Sequence, residues 1–311
     1  MRCLVSGGAG FIGSNLVDAL LARGHQVTVL DNLSSGRREN LDGALASGAE
    51  LVVGDVCDAE DVRAAFAAAR PEVVFHLAAQ IDVRRSVADP ALDATTNVLG
   101  TIAMLEAARA GGVRRFVNSS TGGGLYGDAE LIPTPEEHPV RPLAPYGQAK
   151  YAAEGYCELY ARLHGLSTIS LRYGNVYGPR QDAHGEAGVV AIFCGRLLER
   201  RAPVVYGDGH QTRDWVEVSD VVAANLLAAD STLTGPVNVG CGQETSVLSL
   251  LERLRELAGR DEWPPPRFEP ERPGEVRRSC LEVSRARREL GWEAKVELGD
   301  GLRGVLASMR A

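Results

Sequence analysis

The stretch from Met1 to Asp31 constrains this chain more than any other part of it. Arg2-Cys3-Leu4-Val5-Ser6 is a short apolar run, and Gly7-Gly8-Ala9-Gly10-Phe11-Ile12-Gly13 closes it. An amphipathic run follows to Gly24, and Gln26-Val27-Thr28-Val29-Leu30-Asp31 is a second apolar run that ends in an acid. An apolar run closed by glycines and followed by helical periodicity reads as strand, turn and helix. The spacing G-x-x-G-x-x-G gives each glycine a task. Gly7 permits the tight turn, Gly10 lets the backbone approach a pyrophosphate, and Gly13 lets helix and strand pack closely. The phosphates then rest on the free N–H groups at the positive end of the helix that begins near Phe11. Asp31 follows Gly13 by 18 residues, near the ~20-residue position of a ribose-binding acid. A glycine triplet alone also fits a structural turn in another α/β protein; the complete unit points to dinucleotide binding. An anionic Asp31 would accept from both ribose hydroxyls and repel a 2′-phosphate, which favours NAD over NADP. Against this stand Arg37-Arg38, which either receive a phosphate or form a solvated loop.

The pattern then repeats. Glu50 to Val56 reads as a third strand whose Asp55 can bond an adenine amino group or serve as a turn or cap aspartate. Asp58 to Arg70 reads as a helix, Glu72 to Gln80 as a fourth strand, Ala91 to Ala110 as a long helix behind Pro90, and Val113 to Ser119 as a fifth strand. The fourth strand is apolar on both faces, as a central parallel strand should be, and its His76 reads as a satisfied core histidine. Five strands alternating with helices imply an α/β fold with right-handed crossovers: a Rossmann-type doubly wound parallel sheet. Ser167 to Leu171 adds a sixth strand. Past Asn175 the alternation breaks, and a smaller lobe begins. A helix over Gly188 to Arg201, a strand at Val204-Val205-Tyr206, a helix starting near the cap-like Ser219-Asp220 and a strand at Val237-Asn238-Val239 follow. The last two return to the sheet, so the two lobes interleave. From Glu262 onward a Pro-, Arg- and Glu-rich tail ends in a short amphipathic helix.

At 311 residues the chain has room for one large domain and a smaller lobe. A net charge of −8 and no basic stripe argue against nucleic-acid binding. No apolar stretch approaches the ~20 residues that cross a bilayer, and the immediate first strand leaves no room for a signal peptide. Six scattered cysteines lack zinc spacing, so no metal is expected; free thiols suit a reducing cytoplasm.

Strand five runs into Asn118-Ser119-Ser120-Thr121-Gly122-Gly123-Gly124, hydroxyls at a strand's carboxyl end, where α/β sheets bind ligands. Beyond a proline-rich loop, Tyr146 and Lys150 stand at i and i+4 and share one helical face. An ammonium one turn away favours phenolate over phenol and is expected to lower the tyrosine pKa from ~10 towards working pH.

Gly7–Gly13, Asp31, Asp55, the Ser/Thr stretch and Tyr146-x-x-x-Lys150 together resemble the extended short-chain dehydrogenase/reductase family, and within it the UDP-glucose (UDP-galactose) 4-epimerases. His76-Leu77-Ala78-Ala79-Gln80, Pro145-Tyr146, Leu171 to Pro179 and Thr212-Arg213-Asp214-Trp215-Val216 match the same pattern, across essentially the whole chain. The resemblance implies an NAD-binding domain over residues 1–174, rejoined by about 213–240, and a nucleotide-sugar lobe over 175–311. It implies tightly held NAD contacted by Gly7, Gly10, Phe11, Ile12, Gly13, Asp31, Asn32, Ser35, Gly36, Asp55, Val56, Leu77, Ala78, Ala79, Gln80, Asn97, Ser119, Ser120, Tyr146, Lys150 and Tyr173. It assigns Tyr146, Lys150 and Thr121 to catalysis, Thr121 bridging the sugar 4-oxygen and Tyr146. The glycine run makes that loop one residue longer than is common, which leaves Ser120 as a competing bridge. Thr121, Asn175, Val189, Val190, Tyr206, Arg213 and Arg272 would hold a UDP-sugar, with structural ion pairs as the alternative for either arginine. Ser279 falls where bulk limits the carbon-2 substituent, so N-acetylated sugars are admitted; Arg84-Arg85 raise a uronic acid as another candidate. Alternatives on the same scaffold are decarboxylation and net reduction. Dehydration would need an acid just after the Ser/Thr, where Gly122-Gly123-Gly124 stand. The resemblance also implies a homodimer built on the helices at 91–110 and 149–164.

Overall fold

The computed structural model describes residues 1–182, 188–258, 263–272 and 274–310; Glu262, where the tail was expected to begin, lies outside them. Along the chain run β1 (Arg2–Ser6), β2 (Gln26–Asp31), β3 (Glu50–Val53), β4 (Val73–His76), β5 (Arg115–Thr121) and β6 (Thr168–Tyr173). After these come β7 (Asn175–Tyr177), β8 (Val204–Tyr206), β9 (Thr212–Glu217), β10 (Gly235–Val239), β11 (Glu244–Ser246) and β12 (Arg267–Glu269). Seven of them form one sheet in the order β10-β6-β5-β4-β1-β2-β3, and every pairing in it is parallel. The strand order reverses between β1 and β4, and that point opens the crevice where such sheets bind ligands.

Period-two alternation sorts side chains onto two faces. Cys3 and Val5 of β1 join Val73, Phe75 and Leu171 under the Phe11–Ala22 and Val218–Asp230 helices. Leu4, Val74 and Phe116 point the other way, into Met104, Leu105 and Cys157. The Val218–Asp230 helix and β10 thus belong with the seven-stranded sheet, although they follow β7 to β9 in the chain. β9 pairs with β7 and β11 in a separate small sheet. The lobe has its own core around Phe193, Trp215, Leu250, Leu254, Trp263 and Leu302.

Several expected elements differ in extent or capping, and side chains meet the backbone at each. The third strand stops at Val53: Asp55 N–H donates to the Asp61 carboxylate at 2.8 Å and leaves the ladder. The fourth stops at His76, because Gln80 N–H is taken by Asn97 Oδ1 at 3.0 Å. The long helix behind Pro90 is broken into Pro90–Ala94, a wide π turn at Thr95–Leu99 and Gly100–Ala110; Asn97 sits in the turn and reaches back to Gln80 O at 2.9 Å. The helix expected near Ser219 begins at Val218, and Glu217, not Ser219, caps it by accepting from Ser219 N–H. The Pro145–His164 helix carries Pro145 in its first turn and ends at Gly165 with φ +69°, the left-handed stop that glycine supplies.

Candidate active site

A cavity of about 1170 Å³ runs along the carboxyl edge of the main sheet and on into the second lobe. Its first end is the glycine turn. Gly7 adopts φ +71°, and a Cβ on Gly13 would sit 2.2 Å from Gly7 O, so the helix can approach the strand only as glycine. A Cβ on Gly10 would meet Gly7 O alone, at 3.2 Å, and would project into the crevice. No side chain caps the Phe11–Ala22 helix and no acid lies in its first turn, which leaves its N–H groups for an anion.

Asp31 is buried; Oδ2 accepts from Ala9 N–H and Oδ1 from Leu33 N–H, both at 2.9 Å. Burial pushes this carboxyl up, against those two bonds, and its remaining lone pairs face the cavity that Asp31 lines. Asp55 lines it too: Oδ1 accepts from Cys57 N–H and Oδ2 from Asn32 Nδ2. Burial alone would raise the Asp55 carboxyl, but those bonds outweigh it and hold the group below its ordinary value. The helix cap is Asp58, not Asp55. Ser35, Gly36, Ile12, Val56, Leu77, Ala78 and Ala79 complete this wall. Arg37 is paired with Asp182 at 3.3 Å. Donor-rich turn, anionic cup and apolar walls fit a dinucleotide.

At the middle of the crevice Ser119, Ser120, Tyr146, Lys150 and Tyr173 meet. Ser119 Oγ donates to His76 O at 3.0 Å and Tyr173 bonds Asn225, so both are committed. Ser120 Oγ is buried without a partner among the described residues. The Thr121 hydroxyl accepts from Gly124 N–H at 3.2 Å, and it and the Tyr146 ring both border Gly124. Lys150 is 3% exposed. His76 stays inside the sheet between Ser6 and Thr101 hydroxyls, at 2.7 and 3.0 Å, and burial holds it neutral, down at about 3.

The electrostatics correct one expectation. Tyr146 is pushed up to about 12, not down, by burial first and the Asp93 charge second, with the Thr121 hydroxyl pulling the other way. Lys150 is pushed down to about 8, chiefly by burial. Desolvation disfavours both charged forms, and on this buried face it outweighs the i,i+4 attraction that sequence spacing suggests.

The far end belongs to the second lobe. Val189, Tyr206 and Arg272 line it. The Arg272 guanidinium lies 3.5 Å over the Tyr206 ring. Asn175 Oδ1 is buried and unpartnered, and it would lie 3.1 Å from a Cβ on Gly123. Ser279 Oγ is close to the same spot. Arg213 and Arg272 each approach Glu275, at 3.8 and 3.9 Å. Of the expected contacts, Gln80, Asn97, Thr121, Asn175, Val190 and Arg213 are not in the lining of this cavity. Val190 is buried in the lobe core, one residue out of phase with Val189 on the helix. Gln80 and Asn97 lie behind the cavity wall and bond each other and Asp93. Glu275 and Asp93 were not singled out in the sequence: Glu275 is met by Arg213 as well as its near neighbour Arg272, and Asp93 by Gln80 as well as Asn97.

The sheet, the crevice at its reversal point and the Tyr-Lys pair define a short-chain dehydrogenase/reductase-type enzyme. The sequence model of the NAD dependent epimerase/dehydratase family matches residues 3–240, and the chain belongs to that family. It is 50% identical over 304 residues to a UDP-glucose 4-epimerase of Mycolicibacterium smegmatis, covering 97% of this chain and 96% of that one. It is similar to the UDP-glucose 4-epimerase of Thermotoga maritima, solved with UDP-glucose, at 47% identity and TM-score 0.95, over 100% of this chain and 99% of that one. The Thermus thermophilus UDP-glucose 4-epimerase, solved with NAD, gives 45% identity and TM-score 0.94, over 100% and 99%.

Proposed function

We propose that the protein interconverts UDP-glucose and UDP-galactose by oxidation at carbon 4, rotation of the 4-keto sugar and reduction on its other face. The observation that carries this reading is Tyr146 and Lys150, one turn apart, meeting Ser119 and Ser120 in one cavity that runs from the glycine turn and Asp31 to Tyr206 and Arg272. When bound, NAD⁺ supplies the acceptor and later donor of hydride, and a positive charge beside Tyr146. The residues do the rest. The Tyr146 phenolate takes the proton of the 4-hydroxyl and returns it after rotation. Thr121 holds the 4-oxygen in line with Tyr146, and Lys150 contributes a cation that favours the phenolate. Arg213 and Arg272 exchange their long contacts with Glu275 for shorter, charge-assisted bonds to the diphosphate. Asn175, whose Oδ1 has no partner among the described residues, is a further contact for the UDP moiety.

Ser279, small and next to Gly123, leaves room at carbon 2 and supports N-acetylated sugars as additional substrates. Conversion of UDP-N-acetylglucosamine by wild type, and its loss in Ser279→Tyr with UDP-glucose still turned over, tests this. We also propose a homodimer through the helices that carry Leu99, Tyr151 and Leu163, whose apolar side chains are exposed; light scattering giving a monomer mass would reject it. Free thiols at all six cysteines support a cytoplasmic setting. The central test is chromatography of UDP-glucose incubated with pure protein and no added cofactor. UDP-galactose at equilibrium, without net NADH, is expected. Net NADH or carbon dioxide in proportion to product would reject epimerisation.

A further inference from the structure

Directly after β7 the chain crosses the cofactor end of the cavity as Gly178-Pro179-Arg180-Gln181-Asp182. The crossing is fastened on its far side. Asn15 Nδ2, on the Phe11–Ala22 helix, donates to Pro179 O at 3.1 Å. The Arg180 guanidinium pairs with Asp18 of the same helix and donates to Asn40 O at 3.3 Å. Arg37 meets Asp182 at 3.3 Å. The anchors are themselves tied to the glycine turn, because Ala9 O accepts from Arg37 N–H at 3.0 Å and from Asn40 Nδ2 at 2.9 Å. Gly10, Phe11, Gly36, Arg37, Arg180 and Gln181 line one cavity, so the segment closes a ring of contacts beside the glycine turn.

Two features set this crossing apart from an ordinary connection. Arg180 holds φ +69°, a left-handed conformation that costs a non-glycine residue energy and persists where surrounding contacts impose it. Gln181 donates from Nε2 to Val176 O at 3.0 Å, yet its Oε1 is buried without a partner among the described residues, and the residue lines the cavity. The ion pairs are open to solvent: the Arg180 and Asp18 side chains are 31% and 42% exposed, those of Arg37 and Asp182 58% and 47%. Such pairs are individually weak and are screened by salt. Ties of that strength open to admit a ligand and, together, slow its loss. We propose that residues 178–182 are a clasp that retains NAD, with Arg180–Asp18 as its principal pair. The clasp rests on the epimerase reading given above, in which the hydride taken from carbon 4 must return from the same nucleotide. A nucleotide lost between the two transfers leaves the 4-keto sugar unreduced.

Exchange of bound NAD for isotope-labelled NAD, followed on the holoenzyme without sugar, reads retention directly. Asp18→Asn and Arg180→Gln each remove one charge of the pair and are expected to speed exchange about fivefold, the scale of one exposed ion pair. The two together should do no more than either alone, because the pair is lost once. Reversing both charges, Asp18→Arg with Arg180→Asp, should slow exchange again relative to either reversal alone, since aspartate tolerates the left-handed backbone there. A role confined to folding would not be rescued in that way. Salt at about 1 M should speed exchange more in wild type than in Arg180→Gln. Equal exchange rates in wild type and both single variants overturn the clasp, and so does full additivity in the double variant. Wild type that neither carries nor takes up NAD overturns the clasp together with the cofactor. A protein that exchanges NAD as expected but leaves UDP-glucose unconverted keeps the clasp and loses the epimerase reading.

Discussion

Lys150 and Glu154 sit one turn apart on one helix, both buried, and the protein treats them oppositely. Glu154 is finished: Arg172 meets it with three bonds, then reaches Tyr126 Oη and Glu136 O, and Tyr126 passes the network on to Asn238. That web fastens the proline-rich loop after Gly124 to the sheet. Burial alone would lower the Arg172 guanidinium, but the Glu154 contacts more than reverse it. Lys150 is unfinished: it lines the cavity with Ser120, whose hydroxyl is buried and without a partner among the described residues. A buried polar group without a partner costs stability. Such a group at the crevice marks where a ligand can complete the bonding, whereas completed pairs mark where the fold is held.

That contrast can be broken by experiment. The largest effect is expected from Tyr146→Phe: turnover should fall by about 10³-fold or more, while NAD stays with the protein through desalting. Next is Arg172→Ala, which strands the Glu154 carboxylate and should cost about 3–5 kcal/mol of stability by chemical denaturation. Lys150→Met should do the reverse, removing turnover and leaving the denaturation midpoint unchanged or raised. Equal stability losses in the two variants would dissolve the distinction between finished and unfinished charges. The pH response follows from the same asymmetry. The Lys150 cation is present below about 8 and is lost as pH rises through that value, so turnover should decline across it, with Lys150→Arg moving the decline upward. The smallest separable effect concerns the hydroxyls. Thr121→Ala should lower kcat about tenfold or more, the worth of one hydrogen bond in the transition state. Ser120→Ala should lower it less, because it is the Thr121 hydroxyl that borders Gly124 together with the Tyr146 ring. The opposite ranking would make Ser120 the bridge.

Much of this was legible in order along the chain. The Gly7–Asp31 unit, the alternation of strands and helices, and Tyr146-x-x-x-Lys150 are local patterns, and periodicity and spacing carry them into three dimensions unchanged. The ends of β3 and β4 were not legible, because side chains beyond each strand, Asp61 six residues on and Asn97 seventeen, capture backbone N–H groups there. Nor was the unbroken reading of 91–110 correct, since nothing local announces the π turn around Asn97.

The sequence by itself determined the strand–helix alternation of the parallel sheet, the glycine turn with its terminal acid, and the i,i+4 placement of Tyr146 and Lys150, since each is a local pattern. Only the tertiary structure decided how those groups are charged. It buried Tyr146 deeply enough to raise its hydroxyl, despite the lysine one turn away. It gave Glu154 to Arg172 and set Glu275 between two arginines. Spacing along a helix fixes which residues are neighbours; desolvation and counter-charge, which set ionisation, come from everything else packed around them.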